Sequence, residues 1–222
     1  MKTISVIGLA LLGLSMTNHA NAQAPDMRLA AAPAAAVKSV TPSGRIAAPD
    51  PASMNEAQRA EYERSAKAFG AAGLGPRMPL LNSPDVLAAW SEMQNALSKS
   101  SLPRKLREVA ILVVGSHWKS EFEWYAHAEE ARRYGVSPEA VEAIRVGKQP
   151  KFGTSEEEIV YRYAHELVTT HQVSDSAYDA AWKLLGTRTL VDLTVLLGHY
   201  TSVSMTLNAH RVPLPNGVAP MF

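Results

Sequence analysis

Three ionisable side chains within twenty residues are placed where proton chemistry could be done. Glu108 closes a basic run containing Arg104, Lys105 and Arg107, and it precedes Val109 to Val114, which has no polar side chain on any face. A helix of that kind is buried on all sides. A carboxylate at its lip is desolvated, and its charge is disfavoured unless a cation or hydrogen-bond donors meet it. Glu123 and His127 are four residues apart, so they lie on one helical face, one turn above the other, and can share a proton. Sites that move protons are built from such groups.

Structural roles compete with this reading. Glu108 could pair with Arg104 or complement a helix start, and His127 could be a core histidine bonded to a backbone carbonyl. Glu121 sits about 200° round the helix from Glu123, so only one of them can face a given pocket; Glu123 is the choice. Ser120 invites a Ser-His-Glu hydrolase. However, the seven residues to His127 span roughly 10 Å of helix, and no G-x-S-x-G elbow occurs, so Ser120 reads as a cap. In His165-Glu166 with His171 the second histidine comes six residues after the first where zinc proteases need four, so the rings point apart and no metal is expected. His117 and Trp118 fall in an interhelix turn and could border a pocket mouth. Trp90, Trp118, Trp124 and Tyr125 offer aromatic lining for a small ring-like ligand, or ordinary core. Arg104 and Arg107 could hold a substrate carboxylate.

The order Glu108, eleven residues, Ser120, two residues, Glu123, three residues, His127 resembles the signature of the carboxymuconolactone decarboxylase and alkylhydroperoxidase-D superfamily of small all-helical oligomers. In its peroxidase branch the two middle positions are cysteines; here they are Ser120 and Glu123. The words REVAIL, EFEWYAH and GHYTSVSMTLNA resemble the cysteine-free, decarboxylase-like branch, and the resemblance spans roughly residues 80–214. It implies a cofactor-independent lyase acting on a small carboxylated lactone or related acid, assembled as a trimer or hexamer. His127 would be general acid or oxyanion donor, Glu123 the partner that tunes and orients it, and Glu108 a proton shuttle. Arg104 or Arg107 would hold a spectator carboxylate. The resemblance also places the last helix, with His199, Tyr200 and Asn208, beside the site, where Tyr200 could orient substrate. Two other functions remain in view. One is the superfamily's hydroperoxide reduction; the other is a non-catalytic exported protein that binds a small molecule in a helical pocket.

The composition narrows these choices. The 222 residues are 46% hydrophobic, enough for one sizeable core. Lys2, the apolar run Ile4 to Met16 and Ala20-Asn21-Ala22 read as a secretory signal over residues 1–22, which predicts a periplasmic or secreted protein. Its removal leaves 21 basic and 21 acidic residues, a balance that favours neither nucleic acid nor a membrane surface as partner. The chain has no cysteine, hence no disulfide, no lipoprotein anchor and no thiolate for peroxide chemistry.

Residues 23–52, rich in Ala and Pro, read as a disordered spacer, and residues 53–222 as one all-α domain. Ser53 with Glu56 predicts a capping box for a helix over Met54 to Phe69, closed by Gly70, Gly73 and Gly75. Ser83-Pro84 opens a helix carrying Trp90, and Pro103 the helix of Glu108, broken over Gly115 to Lys119. Ser120 caps the helix of His127, which Gly135 ends. A short helix follows over Glu139 to Val146. Ser155 with Glu158 predicts a second capping box for a helix to about His171. Helices over Ala177 to Leu185 and from Thr187 to Pro213 complete the chain. No stretch alternates with period two.

Overall fold

The computed structural model describes residues 44–69, 75–215 and 217–222. The signal segment and most of the expected spacer lie outside these residues, as do Gly70 and Gly73. Eight helices are present in the order α1 (Glu56–Phe69), α2 (Arg77–Leu80), α3 (Pro84–Ser98), α4 (Arg104–His117), α5 (Glu121–Arg133), α6 (Pro138–Arg145), α7 (Ser155–Thr170) and α8 (Asp175–His210), and no strand occurs among the described residues. α8 is two helical pieces joined at Gly186, whose φ of 71° and ψ of 168° no helix contains. No described helix is long and apolar enough to cross a membrane.

α4 is the axis of the bundle. Every residue from Leu106 to Ser116 is buried, because the Val109 to Val114 run presents apolar surface to α7, α5, α8 and α6 in turn. Each such side chain, fully buried, contributes about 1.5–3 kcal/mol. A smaller cluster of Met54, Leu81 and Leu87 ties α1 and α2 to α3, with Trp90 packed against it. The end of the expected spacer is held down: Arg45 donates from its backbone to His210 O at 2.8 Å, and Asn82 donates to Ala47 O at 3.1 Å.

The helix boundaries differ from expectation where polar residues crowd. α1 is capped by Asn55 and Gln58, which exchange side-chain and backbone bonds at 2.9 and 3.0 Å, while Ser53 bonds back to Asp50 O. α7 is capped by Thr154, whose Oγ1 also donates to Glu157 Oε2 at 2.9 Å, rather than by Ser155 and Glu158. The shift of one residue places Glu157 inside, 1% exposed, where Lys105 meets it at 2.8 Å. The sequence also suggested a break from Gly115 onward, yet α4 continues through His117. It ends in a Schellman turn in which Ser120 N reaches Gly115 O and Lys119 N reaches Ser116 O. Lys119 occupies the left-handed position at φ 49° usually given to glycine. Ser120 stands at the N-cap of α5, but its side chain makes no capping bond; its buried Oγ has no hydrogen-bond partner in the protein.

Lys105 and Glu157 join the most extensive helix pair, α4 with α7. Replacing Lys105 by Met should therefore cost about 2–3 kcal/mol by stranding a buried carboxylate, and adding Glu157→Gln should recover part of it. Urea denaturation of the two variants measures this; a single-variant loss below about 0.5 kcal/mol would place the pair at surface value.

Candidate active site

The reversal between α4 and α5 folds α5 back along α4, and Glu108 and His127 meet across the pair. His127 Nδ1 lies 2.7 Å from Glu108 Oε2, with the carboxylate 2% and the imidazole 9% exposed. On its other side, His127 Nε2 lies 3.1 Å from Glu123 Oε1. That second contact is an ion pair of poor angle, since Glu123 Oε1 makes no hydrogen bond within the protein. One carboxylate holds the ring firmly and the other only by charge.

Burial alone would drive a proton off this imidazole. The charges of Glu108 and then Glu123, with the hydrogen bond to Glu108, outweigh it and raise His127 to about 10. The ring is thus a cation at neutral pH, clamped between two anions. Tyr200 stands edge-on to it, ring centres 5.1 Å apart. Burial, reinforced by Glu123 and Glu108, raises the Tyr200 phenol well above its usual value, so it remains a hydrogen-bond donor.

These groups form one wall of a cavity of about 70 Å³. On α5, Glu123, Ala126, His127 and Glu130 line it at the spacing of a single helical face. From α4 come Arg104, Arg107 and Glu108, and from α8 come His199, Tyr200 and Val203. Arg104 stacks on the Tyr134 ring at 4.9 Å. Arg107 is 2% exposed and donates to Leu97 O at 3.1 Å; burial and then Arg104 lower its pKa. The far wall is Trp90 and Gln94 of α3 with Arg77 of α2. Gly75 makes that wall possible: its φ is 61°, and a Cβ would lie 2.8 Å from the Phe122 ring, so only glycine lets the chain turn over Phe122 and deliver Arg77.

The structure thus brings Glu108, Glu123 and His127 together and places Arg104, Arg107, His199 and Tyr200 around the same hollow. Trp124 is elsewhere. One residue beyond Glu123, it points about 100° away, is 2% exposed in the main core, and packs against Phe222 at 5.4 Å. Trp90 and Phe122 supply the aromatic lining instead. His117 and Trp118 do not border the cavity; their rings meet edge to face, centres 5.8 Å apart. Asn208 donates to Trp118 O at 2.7 Å. Glu121 faces away, its carboxylate accepting from Met221 N and Phe222 N at 2.7 and 3.0 Å. Arg77, Gln94, Phe122 and Glu130 were not expected. Helical spacing from Glu123 and His127 would have found Glu130, but no local pattern marks Arg77.

Comparison with known proteins places this geometry in a class. Residues 84–166 match the model of the Carboxymuconolactone decarboxylase family, a stretch holding Glu108, Glu123 and His127. The matched stretch is similar to that family, and the rest of the likeness is one of fold. The fold is similar to an alkylhydroperoxidase AhpD core, an uncharacterized peroxidase-related protein from Ralstonia eutropha JMP134. That likeness has a TM-score of 0.64 at 16% identity and covers 80% of this chain and 95% of that one. An uncharacterized peroxidase-related protein from Silicibacter sp. TM1040 is similar with a TM-score of 0.59 at 17% identity, covering 81% and 95%. No protein with a curated description matches.

A histidine whose pKa is raised on folding contributes stability that is complete below its unfolded value of about 6.5 and is lost as pH climbs through about 10. Between about pH 7 and 9, His127 should lower the unfolding free energy by about 1.4 kcal/mol per pH unit. Urea titrations across this range measure the slope. It should flatten in Glu108→Gln; an equally steep slope there would assign the proton to another group.

Proposed function

We propose that this protein is an exported, cofactor-independent lyase of the decarboxylase type, acting on a small carboxylated lactone or related acid. The observation that carries this reading is the His127 cation, held between Glu108 and Glu123 on the wall of a small cavity that arginines also line. Loss of carbon dioxide breaks a carbon–carbon bond and leaves its electron pair on the substrate, where a neighbouring carbonyl can take it up as an enolate. The enzyme must then supply a donor to the developing oxyanion and a proton to carbon, in a site that excludes water.

The geometry suits those tasks and divides them differently from the sequence. With its pKa raised to about 10 by Glu108 and Glu123, His127 is protonated at pH 7, so the ring serves as a donor rather than a resting base. Glu108, bonded at 2.7 Å, is the partner that orients the ring. Glu123, loosely engaged, can yield Nε2 to a substrate oxygen and, after turnover, relay to the ring a proton taken up from solvent. The shuttle and orienting roles of the two carboxylates are thus exchanged. Arg104 would hold the spectator carboxylate, since the Arg107 guanidinium already serves Leu97 O.

Export is proposed from the Lys2, Ile4 to Met16 and Ala20-Asn21-Ala22 pattern. A homo-oligomer, trimer or hexamer, is proposed from the superfamily resemblance and from exposed Val191, Val195 and Met205 along α8. Hydroperoxide reduction is the second reading, favoured by the peroxidase-related structural neighbours. The chain has no cysteine to serve as thiolate, which speaks against it.

His127→Ala and Glu108→Gln should each slow carbon dioxide release from a carboxylated lactone panel by about 10²-fold or more. Wild-type rates in both would remove the assignment. Peroxide-dependent oxidation of a dithiol above a His127→Ala control would select the second reading.

A further inference from the structure

Glu123 Oε1 engages His127 by charge, without a hydrogen bond, so the distance between them depends on where the backbone of α5 carries the carboxylate. Little on the cavity side fixes it. Gly115, which faces the Glu123 stem from α4, has no side chain to grip it, and even a Cβ there would only touch Glu123 Cγ at 3.6 Å. The first turn of α5 is also uncapped, since the Ser120 side chain makes no capping bond. Helix ends without such a partner fray, and Glu123 lies in that turn.

Residues 221 and 222 grip the turn from its other side. Glu121 accepts Met221 N at 2.7 Å and Phe222 N at 3.0 Å, one at each carboxylate oxygen. Arg145 of α6 donates to Met221 O while its other nitrogens hold Glu142. The Phe222 ring meets Trp124 with centres 5.4 Å apart, and the Lys119 ammonium stands 4.9 Å from the centre of the Phe222 ring. Bonds to an ionised acceptor are the stronger kind, and here they come in a pair. The contacts fall at Lys119 and Glu121 before Glu123 and at Trp124 after it, so they bracket Glu123 along the chain.

We propose that Glu121, with the Met221–Phe222 strap that it holds, is a positioning residue for the site, standing in for the missing cap and keeping Glu123 beside His127. None of the three lines the cavity, so they act only through Glu123. This rests on Glu123 and His127 being the proton-transfer pair proposed above. It adds that their spacing is set from the opposite face of α5.

The His127 ring reports that spacing. Besides Glu123, the charged and titratable groups lining its cavity are Glu108, Arg104 and Arg107 from α4, Glu130 from α5, His199 and Tyr200 from α8, and Arg77 from α2. The strap's hydrogen bonds and ring contacts go instead to Lys119, Glu121, Trp124 and Arg145. Nitrogen-15 spectra of the full chain, labelled at histidine and free of substrate, give the midpoint of His127 titration. The Glu123 charge raises it, so Glu123→Gln should lower it. Glu121→Ala and Phe222→Ala should lower it too, by about 0.5 pH unit or more, which is about a three-fold loss of proton affinity. In a Glu123→Gln background neither should add more than about 0.1 unit. A midpoint unmoved by Glu123→Gln or by the strap variants, or a strap effect of equal size without the Glu123 charge, would each overturn the proposal. Phe222 is 37% exposed, so Phe222→Ala decides even if Glu121→Ala does not fold. The midpoint is an equilibrium within the folded state, and a loss of stability alone does not shift it. With no substrate present, failure of the decarboxylase reading would leave this result standing, and an unmoved midpoint in the strap variants would not count against carbon dioxide release.

Discussion

A cation buried between two anions is the interaction on which this structure turns. Taking one carboxylate from water costs several kcal/mol, and taking two with a single countercharge leaves one negative charge in excess. Such a group persists only where its geometry is fixed by something stronger. Here that is α4, whose side chains from Val109 to Val114 are 4% exposed or less, and the turn at Lys119 that folds α5 back along it. The apolar helix sets where Glu108 sits, and the turn sets where His127 meets it. Neither carboxylate could move far without dragging core side chains with it.

The same arrangement is compatible with the proposed proton relay in a chain that has no thiol. The position that is cysteine in the peroxidase branch is Glu123, 3.1 Å from His127 Nε2. A carboxylate there gives the ring a second anion, and with Ser120 at the other cysteine position no thiol is left. Opposite it, His199 beneath Trp90, kept neutral by burial and then the Arg77 charge, and the stacked Arg77 make a wall of different character. The cavity is asymmetric as a result, with His127 and two carboxylates on one side and Trp90, His199 and the Arg77 guanidinium on the other.

The sequence revealed most where a pattern had one physical solution. An uninterrupted apolar run can only be a buried helix, and Glu123 and His127 four apart can only share a face. It misled where several residues could do one job. Ser53, Asn55, Thr154 and Ser155 are all competent caps, and the choice fell to Asn55 and Thr154; for α7, that register buries Glu157 against Lys105. Gly115 looked like a break, but the backbone spends its left-handed residue at Lys119. Trp124 looked like lining because it adjoins Glu123, though adjacency on a helix means a 100° turn away. Arg77 was invisible because its place depends on a turn in which Gly75 passes close to the Phe122 ring, a contact between segments far apart in the chain.

The charge of His127 in the resting protein tests the central claim most directly. Nitrogen-15 spectra of protein labelled at histidine, with the His127 signals identified by their loss in His127→Gln, read both ring nitrogens separately. At neutral pH both should carry protons, with the nitrogen facing Glu108 showing the signature of a short, strong hydrogen bond, while His199 shows a neutral ring. A neutral tautomer at His127, with one bare nitrogen, would contradict the clamped cation and the donor role built on it.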